Sequence, residues 1–152
     1  MIRAEIEILS VNISKKKGTI KIPVDEIILD NNGVKNDAHA GNWHRQVSIL
    51  AQESIDKFTK SSSRKIKFGE FAENITTSGI DLWKTSPKDK LIIGDVELEV
   101  TQIGKECHGS NCAIFREVGN CVMPKEGIFA RVIKNGIIKP NDKIKYIPFT
   151  KN

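Results

Sequence analysis

The chain has 152 residues, with 24 Lys+Arg against 19 Asp+Glu, the length of a single domain that can bury a core without disulfide or metal staples. Its 39% hydrophobic and 28% charged residues exclude collagen-like and disordered classes, and no apolar run nears the roughly 18 residues of a membrane span. The net charge of +5 with 6% aromatic residues offers few base-stacking platforms, which argues against nucleic acid as a partner and suits a small anionic ligand.

The pattern along the chain is mostly of period two. The first residues, Met1-Ile2-Arg3-Ala4-Glu5-Ile6-Glu7, put acids where a signal peptide needs a basic start, so a cytoplasmic protein is expected. Ile6 and Ile8 alternate with Glu5 and Glu7, Lys15-Lys16-Lys17 before Gly18 reads as a loop tip, and Ile20, Ile22 and Val24 alternate with Lys21 and Pro23. Each alternation predicts a half-buried strand with its aliphatic residues inward. Asn31-Asn32-Gly33 and Gly94-Asp95 mark turns, and Val96, Leu98 and Val100 alternate with Glu97 and Glu99. Asn135-Gly136 predicts a hairpin joining Ile128–Ile133 to Ile137-Ile138. Helical spacing covers Ala51 to Lys60, with a second short helix over Ala113 to Val118, and Ser61-Ser62-Ser63-Arg64 reads as a loop. The expected fold is mainly β: an antiparallel meander curled into a closed or nearly closed barrel with one or two short helices, because closure removes exposed sheet edges.

Three polar segments stand out. Asn36 to Gln46 holds Asp37, His39, His44 and Arg45; two imidazoles, a carboxylate and a guanidinium could bind an anion or relay protons, or form a solvated loop capped by Asp37. Gly69 to Gly79 sets Glu73 and Asn74 between apolar neighbours, where Glu73 either orients a His or Arg of the first segment or, with Asn74, satisfies loop backbone groups. Gly104 to Pro124 contains all three cysteines, Cys107, Cys112 and Cys121, with Lys105 and His108. A thiolate is the reactive form of cysteine, and Cys112, after the turn-forming Gly109-Ser110-Asn111 and before an apolar stretch, has the best setting for a lowered pKa. Zinc held by Cys107, His108, Cys112 and Cys121 is disfavoured by the adjacency of two ligands. A reversible Cys107–Cys112 disulfide lacks a thioredoxin-like context. The third reading makes one cysteine a sulfur carrier or a soft ligand to a transition metal.

Taken in order, Asp37-Ala38-His39-Ala40-Gly41 with His44-Arg45-Gln46-Val47-Ser48, then Phe71-Ala72-Glu73-Asn74-Ile75-Thr76, then Cys112, then Gly127-Ile128-Phe129-Ala130-Arg131-Val132 resemble the MOSC domain. That is the carboxy-terminal domain of molybdenum-cofactor sulfurases, found also as a stand-alone protein. The resemblance implies a single MOSC domain over residues 1–152, with a barrel like the β-barrel of pyruvate kinase. It further implies a site where a cysteine carries sulfane sulfur or ligates molybdenum held by the cofactor's pterin dithiolene. By motif position Cys112 is that cysteine and the metal ligand, with Cys107 as the alternative or its partner. Asp37, His39, His44 and Arg45 then line the site, Glu73 and Asn74 close its other side, and Lys105, Arg116 and Arg131 are candidates for the cofactor phosphate on charge. The implied cofactor is the molybdenum cofactor (molybdopterin), and the implied partners are its synthesis enzymes and a separate cysteine desulfurase, which would carry the pyridoxal phosphate. Other members reduce N-hydroxylated substrates at cofactor-bound molybdenum, so a molybdenum reductase stands beside a sulfurtransferase or sulfur carrier. A cysteine-based zinc or redox site is the family-independent alternative. Asn36, Ala72 and Asn141 stand where glycine is usual in the family, and the larger departure is Cys107-His108 upstream of Cys112, a variant that resembles bacterial stand-alone members associated with molybdenum-cofactor synthesis.

Overall fold

The computed structural model describes residues 5–16, 20–59, 65–104 and 126–150. Its strands are β1 (Glu7–Ile13), β2 (Ile22–Val24), β3 (Ile27–Asp30), β4 (Gly33–Val34), β5 (Val47–Ala51), β6 (Ile75–Ser78), β7 (Lys90–Ile93), β8 (Val96–Ile103), β9 (Ile128–Lys134), β10 (Gly136–Ile138) and β11 (Lys145–Ile147), and helix α1 (Gln52–Thr59) follows β5 directly. Eight strands form one sheet in the order β11-β7-β8-β9-β5-β6-β1-β2, and β10-β3-β4 form a second.

The large sheet curls until its ends nearly meet. Ile8 N–H donates to Asp142 O at 2.9 Å, Asn141 N–H to Ile8 O at 2.8 Å and Ile144 N–H to Ile6 O at 2.9 Å, so the segment entering β11 at one end of the sheet bonds to β1 near the other. This is the nearly closed barrel that the strand-rich pattern predicts. Its interior is one apolar cluster that includes Ile8, Val11, Leu29, Ile49, Ile75, Leu98, Ala130 and Ile138, all nearly or wholly inaccessible. The full burial of β5 follows from its central place, with the barrel on one face and α1 on the other, where Ile55 is buried.

Three expectations are corrected. The sheet is only partly a meander, because β5 and β6 pair in parallel across α1, and a parallel return needs a crossover. The Asn135-Gly136 turn does not close a hairpin: β10 pairs with β3, matching Ile137 with Ile28, so the turn hands the chain from the large sheet to the small one. Before and at the start of β2 the alternation has the opposite phase, with Ile20 48% and Ile22 58% exposed and Lys21 at 1%, whereas Val24 packs against the core as expected. Period two states that faces alternate but not which face is inward, and a short edge strand has few neighbours to decide it.

The glycine departures are accommodated in the backbone. Asn36, Ala72 and Asn141 have φ of 69°, 65° and 77°, the left-handed region where glycine costs nothing and asparagine little. The predicted helix at 113–118, the loop at 61–64 and Gly18 lie outside the described residues.

Candidate functional site

The loop between β4 and β5 carries the first motif, and its path is set by buried polar anchors. Gln46 is inaccessible to solvent; its Nε2 donates to Asn31 O at 2.9 Å and Gly41 O at 3.0 Å, and its Oε1 accepts the Val132 N–H at 2.9 Å. One side chain thus ties the β3–β4 turn and the middle of the loop to β9. Gly33 must be glycine beneath it, since a Cβ there would come within 2.9 Å of the Gln46 Cβ.

Inside the loop lies a buried charge cluster. Lys21 Nζ donates to the Asp37 carboxylate, with Oδ1 and Oδ2 at 2.9 and 3.1 Å, and to Ser14 Oγ at 3.0 Å, and it lies 3.0 Å from His39 Nδ1. The Lys21 and Asp37 side chains are both fully buried. Asp37 also accepts the backbone N–H groups of Ser14 and His39, each at 3.0 Å. Burial by itself raises this carboxyl's pKa, but the Lys21 ammonium and the backbone N–H groups of Ser14 and His39 outweigh it and hold the group well below the usual carboxylate range.

Trp43 connects this cluster to a second, more open one. Its indole N–H donates to His39 O at 2.8 Å, and its ring face carries Arg45, whose guanidinium carbon lies 4.9 Å from the Trp43 centroid and 5.7 Å from that of Phe129 on β9. Arg45 Nε is buried with no hydrogen-bond partner among the described residues, and no carboxylate among them pairs with the guanidinium. A guanidinium held between two rings with a spare donor can take up an oxyanion. His44 stands at the rim, with Nε2 2.8 Å from Gln102 Oε1, while Gln102 Nε2 donates to Gly104 O at 2.6 Å. Arg131 lies opposite Glu99, on the face of β9 that carries Phe129 and roughly 7 Å further along.

Asp37, His39, His44 and Arg45 are therefore brought together, whereas Glu73 and Asn74 turn inward. Glu73 Oε2 accepts Gly69 N–H at 3.2 Å and the Thr76 hydroxyl at 2.8 Å, and its Oε1 is buried without a partner among the described residues. Burial, only partly offset by these donors, pushes the Glu73 carboxyl up from the ordinary range. Asn74 Oδ1 accepts the Ser48 N–H at 3.0 Å and its Nδ2 donates to Asn12 O at 3.2 Å, joining β1, β5 and β6. The pair satisfies loop and strand backbone groups, the structural one of the two readings its sequence allows.

Lys105, Cys107, His108, Cys112, Arg116 and Cys121 lie outside the described residues. The two roots of that stretch are described. Gly104 N–H donates to Gly127 O at 2.7 Å, Gln102 couples Gly104 to His44, and Glu126 accepts from Ser54 at 2.6 Å and from Lys57. Gly104 therefore stands by the His44 rim and Glu126 against α1. Among the described residues no group of three His, Cys, Asp or Glu side chains is arranged to hold a metal ion.

Sequence reasoning missed Lys21, Gln46, Gln102 and the stacking role of Phe129. Lys21 sat in the apparent solvent phase of an alternating strand. The others act through contacts made between residues far apart in the chain, for which the sequence carries no local signal.

The model of the MOSC domain matches residues 36–145, and the chain belongs to that family, which is associated with the molybdenum cofactor. The fold is similar to the YuaD protein from Bacillus subtilis, with a TM-score of 0.81 at 18% identity over 99% of this chain and 100% of that one. It is also similar to YiiM from Geobacillus stearothermophilus, with a TM-score of 0.73 at 21% identity over 93% of this chain and 75% of that one. For YiiM from Escherichia coli the TM-score is 0.68 at 16% identity, over 100% of this chain and 73% of that one. No curated protein matches the sequence. Among the described residues no helix is long and apolar enough to cross a membrane.

Proposed function

We propose that the protein binds the molybdenum cofactor, or a related metal–sulfur species, at the Trp43–Arg45–Phe129 cluster, and that Cys112 holds the sulfur or the metal there. The observation that carries this reading is Arg45: a cation fixed between two rings, with a buried Nε that has no hydrogen-bond partner among the described residues. Leaving such a donor unmade costs about 1–3 kcal/mol, a cost that an anionic ligand would remove. The donor set fits the cofactor's anionic phosphate, and the aromatic faces fit a planar ring system. When bound, that group supplies a soft metal–sulfur centre suited to a thiolate.

The protein's own residues divide the work. Arg45 grips the anion, with Arg131 further along the same face of β9. His39 and His44 set the polarity of the rim, and Cys112 supplies the thiolate. As a sulfur carrier, the Cys112 thiolate attacks the terminal sulfur of a persulfide on a separate cysteine desulfurase. The new S–S bond forms as the donor's S–S bond breaks, the donor cysteine leaves as thiolate, and no outside oxidant or reductant is needed.

The test is elemental analysis together with cyanolysable sulfur on anaerobically purified protein, comparing the parent with Cys112→Ser and Cys107→Ser. Loss of molybdenum or sulfane sulfur in the Cys112 variant alone is the expected result, and equal retention in both variants overturns it.

A further inference from the structure

We infer that Lys21, standing between Asp37 and His39, holds the His39 ring as the Nε2–H tautomer, so that His39 meets the ligand as a hydrogen-bond donor and not as a base or metal ligand. The ligand half of this inference rests on the anion-binding reading above; the tautomer half does not.

An ammonium has N–H donors and no lone pair. With Lys21 Nζ 3.0 Å from His39 Nδ1, the contact is bonding only if Nδ1 offers its lone pair, and a neutral imidazole then carries its proton on Nε2. The usual carboxylate–histidine pair works the other way: the acid accepts Nδ1–H and leaves Nε2 bare, as a base or metal ligand. Here Asp37 Oδ2 is 3.7 Å from Nδ1, too far for a hydrogen bond. That oxygen instead receives Lys21 at 3.1 Å and the backbone N–H of His39 at 3.0 Å. Interposing a lysine in the dyad reverses the polarity of the exposed edge of the ring.

The ring has little freedom to escape this. The backbone N–H of His39 is held by Asp37, its carbonyl by the Trp43 indole at 2.8 Å, and its side chain is 23% exposed. Nδ1 faces the buried ammonium, so the edge bearing Nε2 is the one turned away from it. Arg45 stacks on the face of Trp43, whose indole N–H holds the His39 carbonyl, and a guanidinium has donors only. Together they select a ligand whose atoms at this site are all acceptors, such as the oxygens of phosphate or molybdate. Lys21 is then a positioning residue that acts through His39.

The test is long-range proton–nitrogen correlation on the full chain labelled with ¹⁵N-histidine. The sequence has three histidines, and His39→Gln identifies the signal of interest. The expected result is a protonated Nε2 and a bare Nδ1 for His39. Removing the ammonium in Lys21→Met should move the proton to Nδ1, towards Asp37, and weaken binding of inorganic phosphate by about tenfold, as for one hydrogen bond to a charged ligand. Lys21→Arg should keep the Nε2–H form. A parent protein with Nδ1–H overturns the tautomer assignment and needs no variant, so a Lys21→Met protein that does not fold leaves the test intact. Nε2–H in the parent together with phosphate affinity unchanged by His39→Gln upholds the assignment and overturns the donor role. Phosphate affinity unchanged by Arg45→Ala counts instead against the anion-binding reading.

Discussion

Replacing Glu73 by glutamine tests whether the most buried acid of the second motif serves the fold in its neutral form. Its Oε2 has two donors, Gly69 N–H and the Thr76 hydroxyl, while Oε1 is buried with none among the described residues; burial accordingly raises the pKa. A raised folded-state pKa means that the group's contribution to stability is fully present below the unfolded value, near 4.5, and is lost as pH rises through the folded value. Glutamine keeps the acceptor for both donors and cannot ionise. The two proteins should therefore be equally stable near pH 4, to within about 0.5 kcal/mol. Above pH 4.5 the variant should gain on the parent by up to about 1.4 kcal/mol per pH unit, reaching a plateau at the folded-state pKa. Urea unfolding at steps from pH 4 to 9, followed by tryptophan fluorescence, reads this difference directly. A Glu73→Gln protein that is less stable at every pH by a constant amount, or that loses ground as pH rises, would refute the reasoning, because it would mean the fold depends on the ionised carboxylate.

Other expectations follow from the same structure. Ala72 has φ of 65°, a conformation that costs an L-residue about 1–2 kcal/mol, while glycine returns about 0.4–1 kcal/mol of chain entropy to the unfolded state. Ala72→Gly should thus raise stability by about 0.5–1 kcal/mol in denaturant unfolding; a loss of stability would show that the Ala72 methyl group packs usefully. Tyr146, the sole tyrosine, donates to Asp89 at 2.5 Å, and burial together with that acid pushes its phenol up to about 12. Spectrophotometric titration should therefore find its midpoint near 12, with stability falling between pH 10 and 12 as the raised group ionises. Tyr146→Phe should remove that fall and cost about 1–2 kcal/mol below pH 10. Arg45→Ala should weaken phosphate binding by about tenfold or more while moving stability by only about 1 kcal/mol, since the lost stacking is offset by removal of the partnerless Nε. A loss several times larger on thermal unfolding would make Arg45 a structural residue.

Local chemistry made much of the molecule readable from its residues alone. Alternation located β1 and β8, Gly94-Asp95 located the turn between β7 and β8, and the spacing of Leu50, Ala51 and Ile55 located α1 to within a residue at each end. The motif residues Asp37, His39, His44 and Arg45 are close in the chain, so a short loop is bound to gather them. The family resemblance marked positions 36, 72 and 141 as usual sites of glycine, and all three have left-handed backbone. Other features arose only when distant segments met. The inward phase of Lys21 was decided by Asp37 and His39 packing over a short edge strand. The partner of β10 was decided by curling of the sheet, which brought β3 alongside. The inward anchoring of Asn74, which bonds Asn12 and Ser48, and the ring of Phe129 beneath Arg45 likewise depend on neighbours many residues away. Sequence periodicity fixes which residues share a face because backbone geometry is local. Which face is buried, and what charge it finds there, is set by long-range packing.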